Sequence, residues 1–153
     1  KGGNISIEVW HQTGEGHDNA VRQAYGSLLD RGTRVAPYIE DMAEAYTWAD
    51  LVLCRCGALT ITELCIMGRP AILVPLPHAI DDHQTANARV LTDCGGATQL
   101  CQRDMDEHSV LSLLQDFLGN PQRLSTMAAA AFAAATPDAA VQVSDCCEEL
   151  MYG

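Results

Sequence analysis

Two stretches of this chain carry polar residues at spacings that could grip a small ligand. The first is Arg55-Cys56-Gly57-Ala58-Leu59-Thr60, with Glu63 three residues further on. An apolar run at 51–54 leads into it, and Ile61, Leu64 and Cys65 follow at the spacing of one helix face. A strand that turns into a helix here, with Gly57 permitting the turn, presents free backbone N–H groups and the positive end of a helix dipole. That is a ready site for a phosphate or diphosphate. Glu63, one turn into the helix, could accept two hydrogen bonds from a vicinal diol such as a ribose. Thr60-x-x-Glu63 also fits a capping box, in which Glu63 only satisfies a backbone N–H, and spacing alone favours that cap.

The second stretch runs from Pro75-Leu76-Pro77-His78 to Asp81-Asp82-His83-Gln84-Thr85-Ala86-Asn87. It is a long loop in a chain of short ones, which usually signals function. Asp82 could cap the helix that follows. Gln84 and Asn87 fall on one face of that helix near its start. Two amides there could grip sugar hydroxyls, each offering donors and an acceptor; a solvated first turn is the plain alternative. His78 and His83 could be bases or ligands, but a loop histidine is more often neither, and no H-x-x-x-H pair invites a metal. Two weaker features complete the set. His11-Gln12-Thr13-Gly14-Glu15-Gly16 holds a G-x-G, a poor signal beside Glu15, and reads as a wall of the crevice. Tyr38-Ile39-Glu40-Asp41-Met42 could offer backbone groups to a base edge, with Ile39 against its face; core packing of Ile39 fits the pattern equally well.

The elements that must position these residues read as strands and helices in alternation. Strands are expected at 5–10, 33–36, 51–54, 71–74 and 97–100. Helices are expected from an Asp18 cap to about Leu29, from Glu40 or Asp41 to Trp48, at 59–67 with Gly68 and Pro70 as stops, and from Gln84 to about Asp93. Further helices follow at 106–118, at 121–135 with Pro121 in the first turn, and from Thr136-Pro137-Asp138 to about Met151. The apolar face of the 106–118 helix is read as Val110, Leu111, Leu113, Leu114, Phe117 and Leu118. Strand–helix–strand units with short links give a parallel sheet, hence an α/β, doubly wound, Rossmann-like fold in a single domain over 1–153. In such sheets ligands bind beyond the carboxyl ends of the strands, where both polar stretches lie.

Composition narrows the partners. The net charge of −11 argues against nucleic acid and against purely electrostatic attachment to anionic lipid. No apolar run approaches the roughly 20 residues of a membrane span, and no signal peptide precedes Ile5, so export is not expected. The seven cysteines lack C-x-x-C spacing and read as reduced thiols of a cytoplasmic protein. A strand so close to the first residue suggests a piece of something longer.

The segments WHQTG, YIEDMAEAY, ADLVLCRCGALTITEL, GRPAILVPLPHA and DHQTANA, in this order, resemble the carboxyl-terminal half of the MurG family. These bacterial transferases add N-acetylglucosamine to undecaprenyl-diphosphate-linked muramyl-pentapeptide in peptidoglycan synthesis. The resemblance covers essentially the whole chain. It implies the second half of a glycosyltransferase-B fold, the half that binds UDP-N-acetylglucosamine, in an inverting, metal-independent enzyme without a cofactor. It also assigns roles. Glu63 would bind the ribose hydroxyls, and the backbone at Ile39 would meet the uracil. Ala58, Leu59 and Thr60 would contact the sugar and diphosphate. Gln84, with His83 and Asn87, would face the sugar, and Arg55 would support the turn. Cys56 stands where many members have Ser, and His83 replaces a Gln of some. The implied partners are UDP-N-acetylglucosamine, an acceptor domain ahead of this one, and through it the lipid-linked acceptor. The general base belongs to that domain, so no catalytic residue is expected here. This piece alone should bind donor weakly and transfer no sugar. The expected location is the cytoplasm, peripheral on the inner face of the membrane. The alternatives are a soluble donor subunit of a split glycosyltransferase, a noncatalytic nucleotide-sugar module and, least favoured by the motifs, a related nucleotide-sugar epimerase.

Overall fold

Among the described residues, 7–77 and 82–152 of the computed structural model, every strand pairing is parallel, as helical crossovers require. The alternating elements sort into two units, Lys1–Trp48 and Ala49–Gly153.

In the first unit, β1 (Val9–Gln12) pairs with β2 (Thr33–Ala36), Val9 opposite Thr33 and Gln12 opposite Ala36. The expected strand at 5–10 is displaced toward the carboxyl end; its residues 5 and 6 lie outside the described ones. The register explains the shift. Gly32, just before β2, takes a left-handed φ of 93°, so no extended partner stands opposite Ile7 and Glu8. Between the strands, α1 (Asp18–Tyr25) gives way to a 3-10 turn over Gly26–Arg31, short of the expected end at Leu29. His17, not Asp18, is its N-cap residue, and Asp18 lies in the first turn beside the positive end of the dipole. The strands' alternation sends His11 one way, with its Nδ1 3.1 Å from the Tyr25 hydroxyl. Trp10 and Arg34 are paired in the ladder, and the guanidinium lies 5.0 Å from the Trp10 ring and 5.6 Å from Trp48. Trp48 ends α2 (Met42–Trp48), which Asp41 caps as expected: its Oδ1 accepts the Glu44 N–H at 2.8 Å.

The second unit carries the order β3-β4-β5, from Val52–Cys54, Ala71–Leu73 and Ala97–Gln99. Helix α3 (Ala58–Met67) joins the first pair and α4 (His83–Thr92) the second. Central β4 is buried along its length, as a strand covered on both faces must be. Ile72 and Val74 pack with Leu100, Phe117 and Met127. Phe117 comes from α5 (Glu107–Gly119) and Met127 from α6 (Pro121–Ala133). Val110 and Leu113 lie against the same core, whereas Leu111, expected on that face, is half exposed. Gly68 ends α3 in the left-handed region at φ 58°, donating its N–H to Cys65 while Arg69 donates to Leu64. A final helix, α7, covers Ala139–Tyr152.

Candidate functional site

The mouth of α3 opens directly after β3. Gly57 is its N-cap residue and makes no side-chain cap bond, so Ala58, Leu59 and Thr60 supply the first-turn N–H groups that no helical carbonyl reaches. The first bond within the turn runs from the Ile61 N–H to the Gly57 carbonyl, 3.0 Å. This overturns the capping-box reading of Thr60 and Glu63. An N-cap residue must precede its helix, and Thr60 is the third residue inside it. Gly57 also differs from expectation. Its backbone, φ −64° and ψ 146°, is open to any residue, so the turn does not require glycine there. A Cβ there would meet Thr60 Oγ1 at 3.5 Å, an ordinary contact. Glu63 lies in the second turn with its side chain exposed.

Opposite stands the first turn of α4. Asp82 is its N-cap residue in a left-handed conformation, φ 53°, without the side-chain cap bond expected of it. His83 opens the helix and is exposed. Gln84 and Asn87 share a face, as their spacing requires, but that face is not a solvated turn. Gln84 Oε1 accepts the Leu76 N–H at 3.0 Å and the Cys56 N–H at 3.4 Å. Asn87 donates from Nδ2 to the Cys56 carbonyl at 2.9 Å. Arg55 closes the arrangement, its Nη1 donating to the carbonyls of Val74 and Pro75 at 3.3 and 3.4 Å. That is the supporting role the resemblance implied. The structure therefore brings Ala58, Leu59, Thr60, His83, Gln84 and Asn87 to the carboxyl ends of β3 and β4. Beside them a cleft of about 260 Å³ is lined by Ala58, Ile61, Thr62, Asn87 and Val90, among others. His78 lies outside the described residues.

Ile39 belongs to the first unit. Its side chain is buried, which decides for core packing over contact with a base face. Its N–H donates to Gln12 Oε1 at 2.9 Å. Nothing in the spacing singled out Gln12, because its partner lies 27 residues away. The loop after β1 is zipped to the end of β2 by N–H bonds from Thr13 to Ala36 and from Gly14 to Pro37, both 3.0 Å.

Neither thiol near the mouth is a nucleophile at neutral pH. Burial pushes Cys54 up to about 12, with a smaller push from Cys56. Burial also raises Cys56 to about 11, against the pull of the Arg55 cation. All seven cysteines are free thiols. Among the described residues no group of three His, Cys, Asp or Glu side chains is placed to hold a metal ion.

Comparison with known proteins bears out the resemblance. A protein of Halorhodospira halophila is 48% identical over 95% of this chain, which covers 41% of that protein. Another, from Pseudoalteromonas translucida, is 44% identical over 97% of the chain and 42% of its own length. Each bears the name UDP-N-acetylglucosamine–N-acetylmuramyl-(pentapeptide) pyrophosphoryl-undecaprenol N-acetylglucosamine transferase. The crystal structure of Acinetobacter baumannii MurG is similar with a TM-score of 0.85 at 41% identity, over 95% of this chain and 42% of that one. The chain thus spans about two fifths of the length of the relatives it matches. The profile of the glycosyltransferase family 28 C-terminal domain matches residues 2–143, and the chain belongs to that family.

Proposed function

We propose that residues 1–153 serve as the donor-binding module of a transferase that moves N-acetylglucosamine from UDP-N-acetylglucosamine to a lipid-linked muramyl-pentapeptide. The observation that carries this reading is the uncapped mouth of α3, faced by an α4 turn whose amides are tied to the residue just before it. The N–H groups of Ala58, Leu59 and Thr60 receive the diphosphate at the positive end of the helix. Glu63 takes the ribose hydroxyls. The backbone of Ile39 meets the uracil, and His83, Gln84 and Asn87 stand on the sugar side. As the bond from the anomeric carbon to the diphosphate breaks, the helix N–H groups stabilise the charge that gathers on UDP, so the reading calls for no metal. An acceptor hydroxyl, deprotonated by a base outside these residues, attacks that carbon from the opposite side and inverts it. On this reading the acceptor site belongs to the remainder of the longer protein; the chain spans 41% of one such relative. The complete enzyme works at the inner face of the cell membrane as a peripheral protein; no described helix is long and apolar enough to cross one.

Calorimetric titration with UDP tests the reading. Glu63→Ala is expected to weaken binding by about 1–3 kcal/mol, the worth of hydrogen bonds to a charged group. Unchanged affinity removes Glu63 from the site, and a wild-type protein that binds no UDP removes the reading itself.

A further inference from the structure

One backbone donor of the first unit is held by a side chain whose chemistry matches that of a base carbonyl. The Ile39 N–H donates to Gln12 Oε1 at 2.9 Å. The peptide that carries it joins Tyr38, which is 71% exposed, to Ile39, whose side chain is buried, so the N–H lies where core meets solvent. A backbone donor there needs a partner, and the ladder of β1 and β2 ends at Gln12 and Ala36, before reaching it. Gln12 is the last residue of β1 and is exposed, so its amide can leave without opening a hole in the core. The loops after the two strands stay joined when it does. N–H bonds from Thr13 to Ala36 and from Gly14 to Pro37, both 3.0 Å, hold them through backbone alone.

We propose that Gln12 is a specificity-determining residue: its Oε1 occupies the Ile39 N–H until a base carbonyl takes its place. The inference rests on the reading that the backbone of Ile39 meets the uracil. The oxygen of a primary amide and the C4 carbonyl oxygen of uracil are acceptors of one kind, planar and with two lone pairs. The exchange is therefore one for one, and the N–H has a partner before and after it. A cytosine presents an amino group at that position. Donor would then face donor, and displacing Gln12 would leave the N–H unsatisfied. Gln12 lowers the apparent affinity for any base that must displace it, in proportion to the fraction of molecules in which the N–H is open. Only a carbonyl regains the bond.

Calorimetric titration with UDP and with CDP separates this role from a structural one. Gln12→Ala, and Gln12→Met as a second variant that keeps side-chain length, remove the competing oxygen. UDP should bind both variants more tightly than the wild type, by about 2- to 12-fold, the net worth of the bond given up. CDP should gain nothing. Unchanged or weaker UDP binding in both variants overturns the proposal, as does an equal gain for CDP. Amide hydrogen exchange reads the same swap at a single group. Without ligand the Ile39 N–H should exchange faster in either variant than in the wild type, and saturating UDP should slow it again. An Ile39 N–H that UDP leaves unprotected in Gln12→Ala overturns the proposal. A wild type that binds no UDP removes the donor reading and this inference with it, whereas a wild type that binds UDP no less tightly than the variants removes the inference alone.

Discussion

The thiols of Cys54 and Cys56 lie two residues apart at the end of β3, and burial raises both, to about 12 and about 11. The sign of the effect on stability follows from linkage. Below the ordinary value of 9.0 the thiols are protonated whether the chain is folded or not, and their contribution is complete. Above it the unfolded chain releases protons that the folded chain retains, so stability falls as pH climbs toward 11 and 12. Urea unfolding followed from pH 8 upward should show a falling midpoint, and Cys54→Ala should flatten the fall. Equal slopes in the two proteins would mean that the fold does not hold the Cys54 proton. At this scale the sequence disclosed which residues gather at the site but not what they hold. Gln84 and Asn87 were legible as a pair on one helix face, yet their shared partner, Cys56, stands 28 and 31 residues away, and no local pattern encodes such a reach. Glu63 was drawn toward a cap only because its spacing from Thr60 imitates one.

Helix starts differ in how they are closed. Asp106 caps α5 through a reciprocal pair: its Oδ1 accepts the Ser109 N–H at 2.7 Å, and its own N–H donates to Ser109 Oγ at 2.9 Å. Asn120 caps α6 by accepting the Arg123 N–H at 3.2 Å, with Pro121 in the first turn. Helix α3 has no such side chain at its start. Removing the Asn120 cap as Asn120→Ala should cost about 1 kcal/mol in chemical unfolding. At Asp106 the hydrogen bonds from Ser109 hold the carboxyl below its usual range. Its contribution is present above the unfolded value of 3.8 and disappears as pH drops through the lower folded value. Asp106→Asn should therefore narrow the loss of stability on acidification, and an unchanged acid limb would show that the Ser109 bonds do not favour the ionised form. Elements were the most legible level. Short β-rich runs marked β2 to β5 to within a residue at either end. Strand β1 slid because its start depends on the register with β2, a pairing between residues 24 apart. The start of α3 was legible to within one residue, Leu59 against Ala58, although Gly57 leaves no polar cap to read.

The molecule as a whole opposes the ligand proposed for its site. With 20 acidic residues against 9 basic ones, its surface repels a diphosphate, while under the proposed function the attraction comes from a few backbone amides acting at hydrogen-bond range. Salt separates the two. At about 10 mM the screening length is about 30 Å and charges across the surface reach the ligand; at about 100 mM it is about 10 Å and most of that repulsion is gone, while the amides still touch the phosphates. The affinity of this chain for UDP should therefore rise, by about two- to fivefold, between those salt concentrations. A site built from cations would show the reverse, since salt weakens attraction between unlike charges. Arg55 is the cation nearest the mouth in sequence, and its guanidinium is directed at the carbonyls of Val74 and Pro75. If titration instead gave an affinity that dropped steadily with salt, a released Arg55 or another cation would be carrying the anion. The diphosphate would then have to move away from the mouth of α3, and the role given to Ala58, Leu59 and Thr60 would go with it.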